Sequence, residues 1–134
     1  PRNPEREIRV IRKKIKSGAD FFLTQPVFEM EKARQFMKIY EDVHGPLNIP
    51  VLVGVLPLVT DRHARFLHNE VPGIEIPDNI QARMEKAGDL AAMEGAKIAT
   101  ELIQEIQEEF QGVYFMPAFN RYDMVAEIID RIHR

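Results

Sequence analysis

Cysteine and tryptophan are both absent from the 134 residues. Without thiols the chain can build neither a disulfide framework nor a thiolate zinc site, and a reducing, cytoplasmic setting is expected. No apolar run approaches the roughly 20 residues of a membrane span, and no basic-then-apolar signal segment opens the chain. An excess of one charge is missing too: 18 lysines and arginines face 21 aspartates and glutamates, a formal net charge of −3, so no basic footprint for nucleic acid exists. The four histidines are His44, His63, His68 and His133. Only His63 and His68 are close in sequence, and five residues apart on a helix they face different ways, so no metal site is expected. The chain also lacks G-x-G-x-x-G after a strand, G-x-x-x-x-G-K-[ST] and G-x-S-x-G, the signatures of dinucleotide folds, P-loops and serine hydrolases. What remains is 45% apolar and 29% charged, an ordinary globular balance at a length that buries one core. The chain starts at Pro1 and runs directly into a helical pattern, which leads us to expect a piece of something longer.

The informative stretch is Gly18-Ala-Asp-Phe-Phe-Leu-Thr-Gln-Pro26, where the character changes from apolar to polar at one point. Its continuous apolar run, 21–23, predicts a strand at 20–24 buried on both faces of a parallel sheet. Pro26 cannot donate to a ladder, so the strand should stop before it and leave Gln25 at the carboxyl-terminal tip, where ligands bind in α/β folds. An amide offers a paired donor and acceptor that can read the edge of a pterin, flavin or pyrimidine; equally, Gln25 can simply cap a loop. A second strand is expected at 50–55, with Gly54 marking close approach of a backbone or a ligand, and a third at 113–116. Pro57 and Pro117 follow these two as Pro26 follows the first.

Helical periodicity fills the intervals. Residues 4–17 form a helix with Asn3 as N-cap and Gly18 beyond its end, an Ile8, Ile11, Ile15 stripe, and a basic remainder that is either a solvated face or a phosphate-facing one through Lys13 or Lys14. Residues 29–42 carry Met30, Ala33, Phe36, Met37 and Tyr40 at helical spacing, read as core rather than as a cofactor box. Thr60 or Asp61 caps a short helix to about His68, and the proline-rich 71–77 reads as a surface crossing. Asp78 caps another helix that Gly88 interrupts, and 89–110 is a long helix with small residues at its start. Asn120 is expected to cap the last helix in a capping-box-like arrangement with Asp123, its apolar face being Val125, Ile128, Ile129 and Ile132. Strands alternating with helices call for a parallel α/β sheet.

Three strand-end motifs, Gly18-Ala-Asp-Phe-Phe-Leu-Thr-Gln25, Val53-Gly-Val-Leu-Pro57 and Tyr114-Phe-Met-Pro-Ala-Phe-Asn-Arg121, together resemble the methylenetetrahydrofolate reductases, in order and spacing over essentially the whole chain. The variant is most similar to the branch fused behind a homocysteine S-methyltransferase domain. The resemblance implies an FAD-dependent (β/α)8 TIM barrel of which residues 1–134 supply the C-terminal portion, with the last three strands. It places Gln25 where the family's glutamine contacts the pterin of folate. Glu7, Lys13 and Lys14 fall where the family surrounds the FAD phosphates and ribose, although Val10 stands in place of a family asparagine. Phe66 or Leu67 lies near an aromatic residue that packs on the nicotinamide donor or the folate. Met116-Pro-Ala118-Phe119 replaces the family's Tyr-Thr-Leu beside the flavin. The acidic catalytic residues belong to earlier strands outside this chain. The implied partners are folate, a reduced nicotinamide or other electron donor, the N-terminal half of the barrel and further copies in a homo-oligomer. Two other classes remain: another phosphate-binding (β/α)8 enzyme, which would want a glycine-rich turn where Pro117-Ala-Phe stands, and a non-catalytic fragment that self-associates through strand edges.

Overall fold

Asn3 caps the first helix as its sequence position demands, its side-chain oxygen accepting the Arg6 N–H at 3.1 Å. The computed structural model describes residues 3–133. In chain order they form α1 (Pro4–Lys16), β1 (Phe22–Pro26), α2 (Met30–His44), β2 (Val51–Val55), α3 (Asp61–Glu70), α4 (Asp78–Ala87), a 3-10 turn (Gly88–Leu90), α5 (Ala91–Glu109), β3 (Gly112–Phe115), a second 3-10 turn (Ala118–Asn120) and α6 (Tyr122–Ile132). The strands make one parallel sheet in the order β1-β2-β3. The result is an α/β fold of three parallel strands with flanking helices, as the alternation in the sequence requires.

Alternation along the strands gives the sheet two unlike faces. Val53 and Val55 point into an apolar cluster with Ala96, Ala99, Leu102, Ile103 and Ile106 of α5 and Met124 and Ile128 of α6, and Val113 and Phe115 pack against it. The other face carries Leu23, paired in register with Leu52, then Gly112 opposite Leu52, and Gly54 opposite Tyr114. Neither apolar cluster reaches this face, and Leu23 is 55% exposed. A second cluster lies beneath α3 and α4, built from Phe28, Leu58, Ala64, Leu67, Ile74, Ile76, Ile80 and Met84 with Ala91 and Ile98. Gly95 brings α5 against the Leu58 carbonyl so closely that any β-carbon there would overlap it. The small residues at the start of this helix therefore serve the close packing expected of them.

Five expectations change. β1 is an edge strand rather than one buried on both faces, and it runs on through Gln25 and Pro26. A bulge between Leu23 and Pro26 absorbs the proline, and an edge position leaves its missing N–H without consequence for a ladder. The crossing 71–77 is not merely surface: Ile74 and Ile76 enter the second cluster, and His68 Nδ1 accepts the Ile76 N–H at 3.0 Å. Asp78 is the first residue of α4 and not its cap, which is Pro77. Asn120 does not cap α6 either. Phe119 and Asn120 both take left-handed backbone conformations, and Asp123 accepts two hydrogen bonds at 3.0 Å from the Arg121 guanidinium instead of closing a capping box. The buried face of α6 is Met124 and Ile128, with Val125 and Ile132 half-buried and Ile129 turned outward.

Candidate functional site at the strand ends

At the end of β1 the backbone is tied down by its neighbours. Thr24 Oγ1 accepts the Gly54 N–H at 2.9 Å and donates to the Gln25 carbonyl at 2.8 Å. The Tyr114 hydroxyl crosses over β2 to donate to the Thr24 carbonyl. Gly54 makes that crossing possible, since a β-carbon there would stand 2.8 Å from Tyr114 Oη and 3.1 Å from the Thr24 carbonyl. The close approach read from Gly54 is thus that of the Thr24 backbone carbonyl together with the Tyr114 side chain that bonds to it. Burial raises the Tyr114 pKa, which keeps the phenol protonated and a donor. With both local carbonyls occupied, Gln25 presents an exposed side-chain amide at the tip of the strand.

The segment after β3 turns sharply. Phe119 has φ 54 and ψ 32, a conformation uncommon outside glycine, and its ring is 71% exposed. One edge of the ring meets His63, with centroids 5.0 Å apart and planes at 65°. His63 belongs to the first turn of α3, where its N–H donates to Thr60 Oγ1 at 2.9 Å and its Nδ1 accepts the Val59 N–H at 3.2 Å. That acceptor role fixes the neutral tautomer with the proton on Nε2, and burial lowers the pKa of the ring. His63 thus joins the end of β2 to the end of β3. The sequence reading weighed it only as a metal ligand; its place three residues after the capping Thr60 was the available signal. Among the described residues no three His, Cys, Asp or Glu side chains gather as a metal site would require.

The other residues singled out from the sequence are spread more widely. Phe66 is 56% exposed on α3, whereas Leu67 faces inward and is part of the second cluster. Ala118 is half-buried against the first cluster. Glu7, Lys13 and Lys14 are exposed on α1, and among the described residues neither lysine has an ion-pair partner. Lys13 and Lys14 occupy the last turn before β1, where the Lys14 carbonyl accepts the Ala19 N–H at 3.1 Å. Gln25 is at the opposite end of that strand, roughly 10 Å farther on at about 3.3 Å per residue. A ligand touching both must run the length of the sheet. A half-open cavity of about 300 Å³ lies at the other end of β2, among Arg34, Lys38, Glu41, Glu109 and Gln111, and includes none of these residues.

Parallel strands joined by helices, with polar and aromatic side chains gathered on the loops beyond the strand ends, define an α/β protein of the type that binds ligands at its strand carboxyl ends. Residues 1–133 match the family described as Methylenetetrahydrofolate reductase, and the chain belongs to that family. Among solved structures it resembles an uncharacterized protein from Clostridium thermocellum that binds two copies of 5-methyl-5,6,7,8-tetrahydrofolic acid, with a TM-score of 0.61 and 20% identity. The match covers 97% of this chain and 51% of that one, so the chain spans about half the length of its structural neighbour. Among the described residues no helix is long and apolar enough to cross a membrane.

Proposed function

We propose that this chain is the C-terminal portion of a (β/α)8 barrel that reduces 5,10-methylenetetrahydrofolate to 5-methyltetrahydrofolate with FAD, in one-carbon and methionine metabolism. The observation that carries the reading is the exposed Gln25 amide at the tip of β1 in a chain of this family. An amide edge pairs donor to acceptor with a pterin, and being neutral it suits ring positioning better than proton transfer. Barrel closure needs eight strands and about 250 residues, and three parallel strands cannot close. The bare face around Leu23 and the free edge of β1 are what such a portion would turn toward its N-terminal half. The general acid is assigned to that half, and a methyltransferase domain, where one is fused, would precede the whole barrel.

The residues present suit FAD in kind. Phe119 offers an exposed ring for a flat cofactor, and Lys13 and Lys14 offer free ammonium groups for phosphates, with Glu7 one to two turns earlier on α1. Their separation along the sheet calls for a ligand as long as a dinucleotide. When bound, the flavin supplies hydride transfer between the nicotinamide donor and folate. This chain's part is to orient: Gln25 holds the ring edge of folate, Phe66 covers a planar face, and the His63–Phe119 contact keeps the β3 end in its left-handed shape.

In the full-length protein Gln25→Ala should weaken folate binding about ten- to a hundredfold, the cost of about 1–3 kcal/mol for an unpaired polar partner. Flavin reduction by the donor should be unchanged in stopped-flow absorbance. Unaltered folate kinetics would refute the assignment. A second reading, in which the isolated chain is a non-catalytic self-associating unit, is favoured by Phe21 and Leu23, each 55% exposed at the sheet edge. Light scattering of the isolated chain, with and without the remainder of the parent, separates the two.

A further inference from the structure

Gln25 is exposed, yet one side of its amide is not free. The crossing between α3 and α4 comes to rest against it at Gly73. A β-carbon placed on Gly73 would stand 3.0 Å from Gln25 Oε1, 3.8 Å from Cδ and 3.9 Å from Nε2. The first of these is below ordinary van der Waals contact, so one of the two partners would have to give.

The crossing is the partner that holds. Ile74 and Ile76 are 7% and 1% exposed in the second cluster, and the Ile76 N–H is held by His68 Nδ1 at 3.0 Å. The Ile74 N–H donates to the Val71 carbonyl at 3.3 Å, and Glu75 pairs with Lys32 of α2. Gln25, by contrast, meets Gly73 with the far end of a flexible side chain. Gly73 also sits at φ 85, where a residue with a side chain is strained whatever the space.

We propose that Gly73 is a positioning residue for Gln25. On this view the α3–α4 crossing is a fixed wall of the ligand site. The wall blocks one flank of the amide and commits the other to the donor–acceptor edge of a planar heterocycle. Any side chain at position 73 turns that amide aside. The inference rests on the folate reading of Gln25 for its ligand, and on the contact alone for its geometry.

The test uses the full-length protein with 5-methyltetrahydrofolate as probe. Gly73→Ala should weaken binding about tenfold, in line with the steep cost of displacing a positioning group by part of an ångström. Gly73→Asn keeps the β-carbon while tolerating a left-handed backbone, and should weaken binding equally with a smaller loss of stability. Gly45→Ala is the control for strain, since Gly45 has φ 75 and nothing within 4 Å of its would-be β-carbon; it should leave affinity unchanged. In a Gln25→Ala background, adding Gly73→Ala should have no further effect. The side-chain amide resonance of Gln25 should shift in both Gly73 variants and not in Gly45→Ala. An unshifted resonance, or wild-type affinity in Gly73→Asn where Gln25→Ala loses affinity, overturns the inference. A shifted resonance combined with unchanged affinity in Gln25→Ala upholds the contact and overturns the folate reading instead.

Discussion

The two faces of this sheet are made from similar residues and meet different fates. On one, Val53 and Val55 are 0% and 1% exposed beneath α5 and α6. On the other, Leu23 is more than half exposed and Leu52 only half-buried, and Tyr114 spends its hydroxyl on a strand two positions away in the sheet order. Apolar side chains left bare in a row are costly in water, and a row of this kind marks a surface made to be covered. The covered face therefore carries the stability of this chain, and on the proposed reading the bare face is the one the rest of the barrel would cover.

That division can be broken most visibly on the covered side. Ile103 is fully buried between α5 and the sheet cluster, so Ile103→Ala should cost about 2–5 kcal/mol in urea denaturation through lost transfer energy and a cavity. A loss below 1 kcal/mol would mean that the helix-covered face is looser than its packing implies. On the bare side the Tyr114 hydroxyl ties β3 to β1. Tyr114→Phe should cost about 0.5–1.5 kcal/mol, since it leaves the Thr24 carbonyl to water. A cost as large as that of Ile103→Ala would erase the contrast between the faces.

The strand tips, where the two faces meet, give a pH test. Burial lowers the His63 pKa in the folded state, while the unfolded chain keeps the ordinary value of about 6.5. Stability from this residue is then complete above the unfolded value and is lost as pH falls through the lowered folded one, because the unfolded chain binds the proton first. Protonation also abolishes the acceptor that holds the Val59 N–H. His63→Gln should flatten thermal stability over that acid range, and an undiminished slope would move the effect elsewhere. The smallest effect on stability is expected at the bare face itself. Leu23→Lys should change the unfolding free energy by no more than about 0.5 kcal/mol, as exposed positions do, while reducing self-association seen by light scattering. Undiminished association would show that another surface is responsible.

The order of elements, the parallel sheet and the core face of α5 were determined by the sequence itself, because periodicity and caps act within a few residues; of the stripe read as core on α2, only Met30 and Tyr40 are buried. Asn3 and Thr60 cap where they should, and Val51–Val55 is the buried strand its apolar run announces. Gln25 at a strand tip was legible for the same reason: Pro26 and the change from apolar to polar are local signals. Tertiary structure alone decided the rest. Burial of β1 depends on how many strands flank it, and here only β2 does, so an apolar run like the one that buries Val53 in β2 leaves Leu23 in water. The face of α6 turned on the left-handed backbone at Phe119 and Asn120, which no local rule requires of those residues. The contacts of Gly73 with Gln25, of His63 with Phe119 and of Tyr114 with Thr24 join residues tens of positions apart. Such pairs exist only once strands are in register and helices docked, because the interaction that selects them has no partner within the segment.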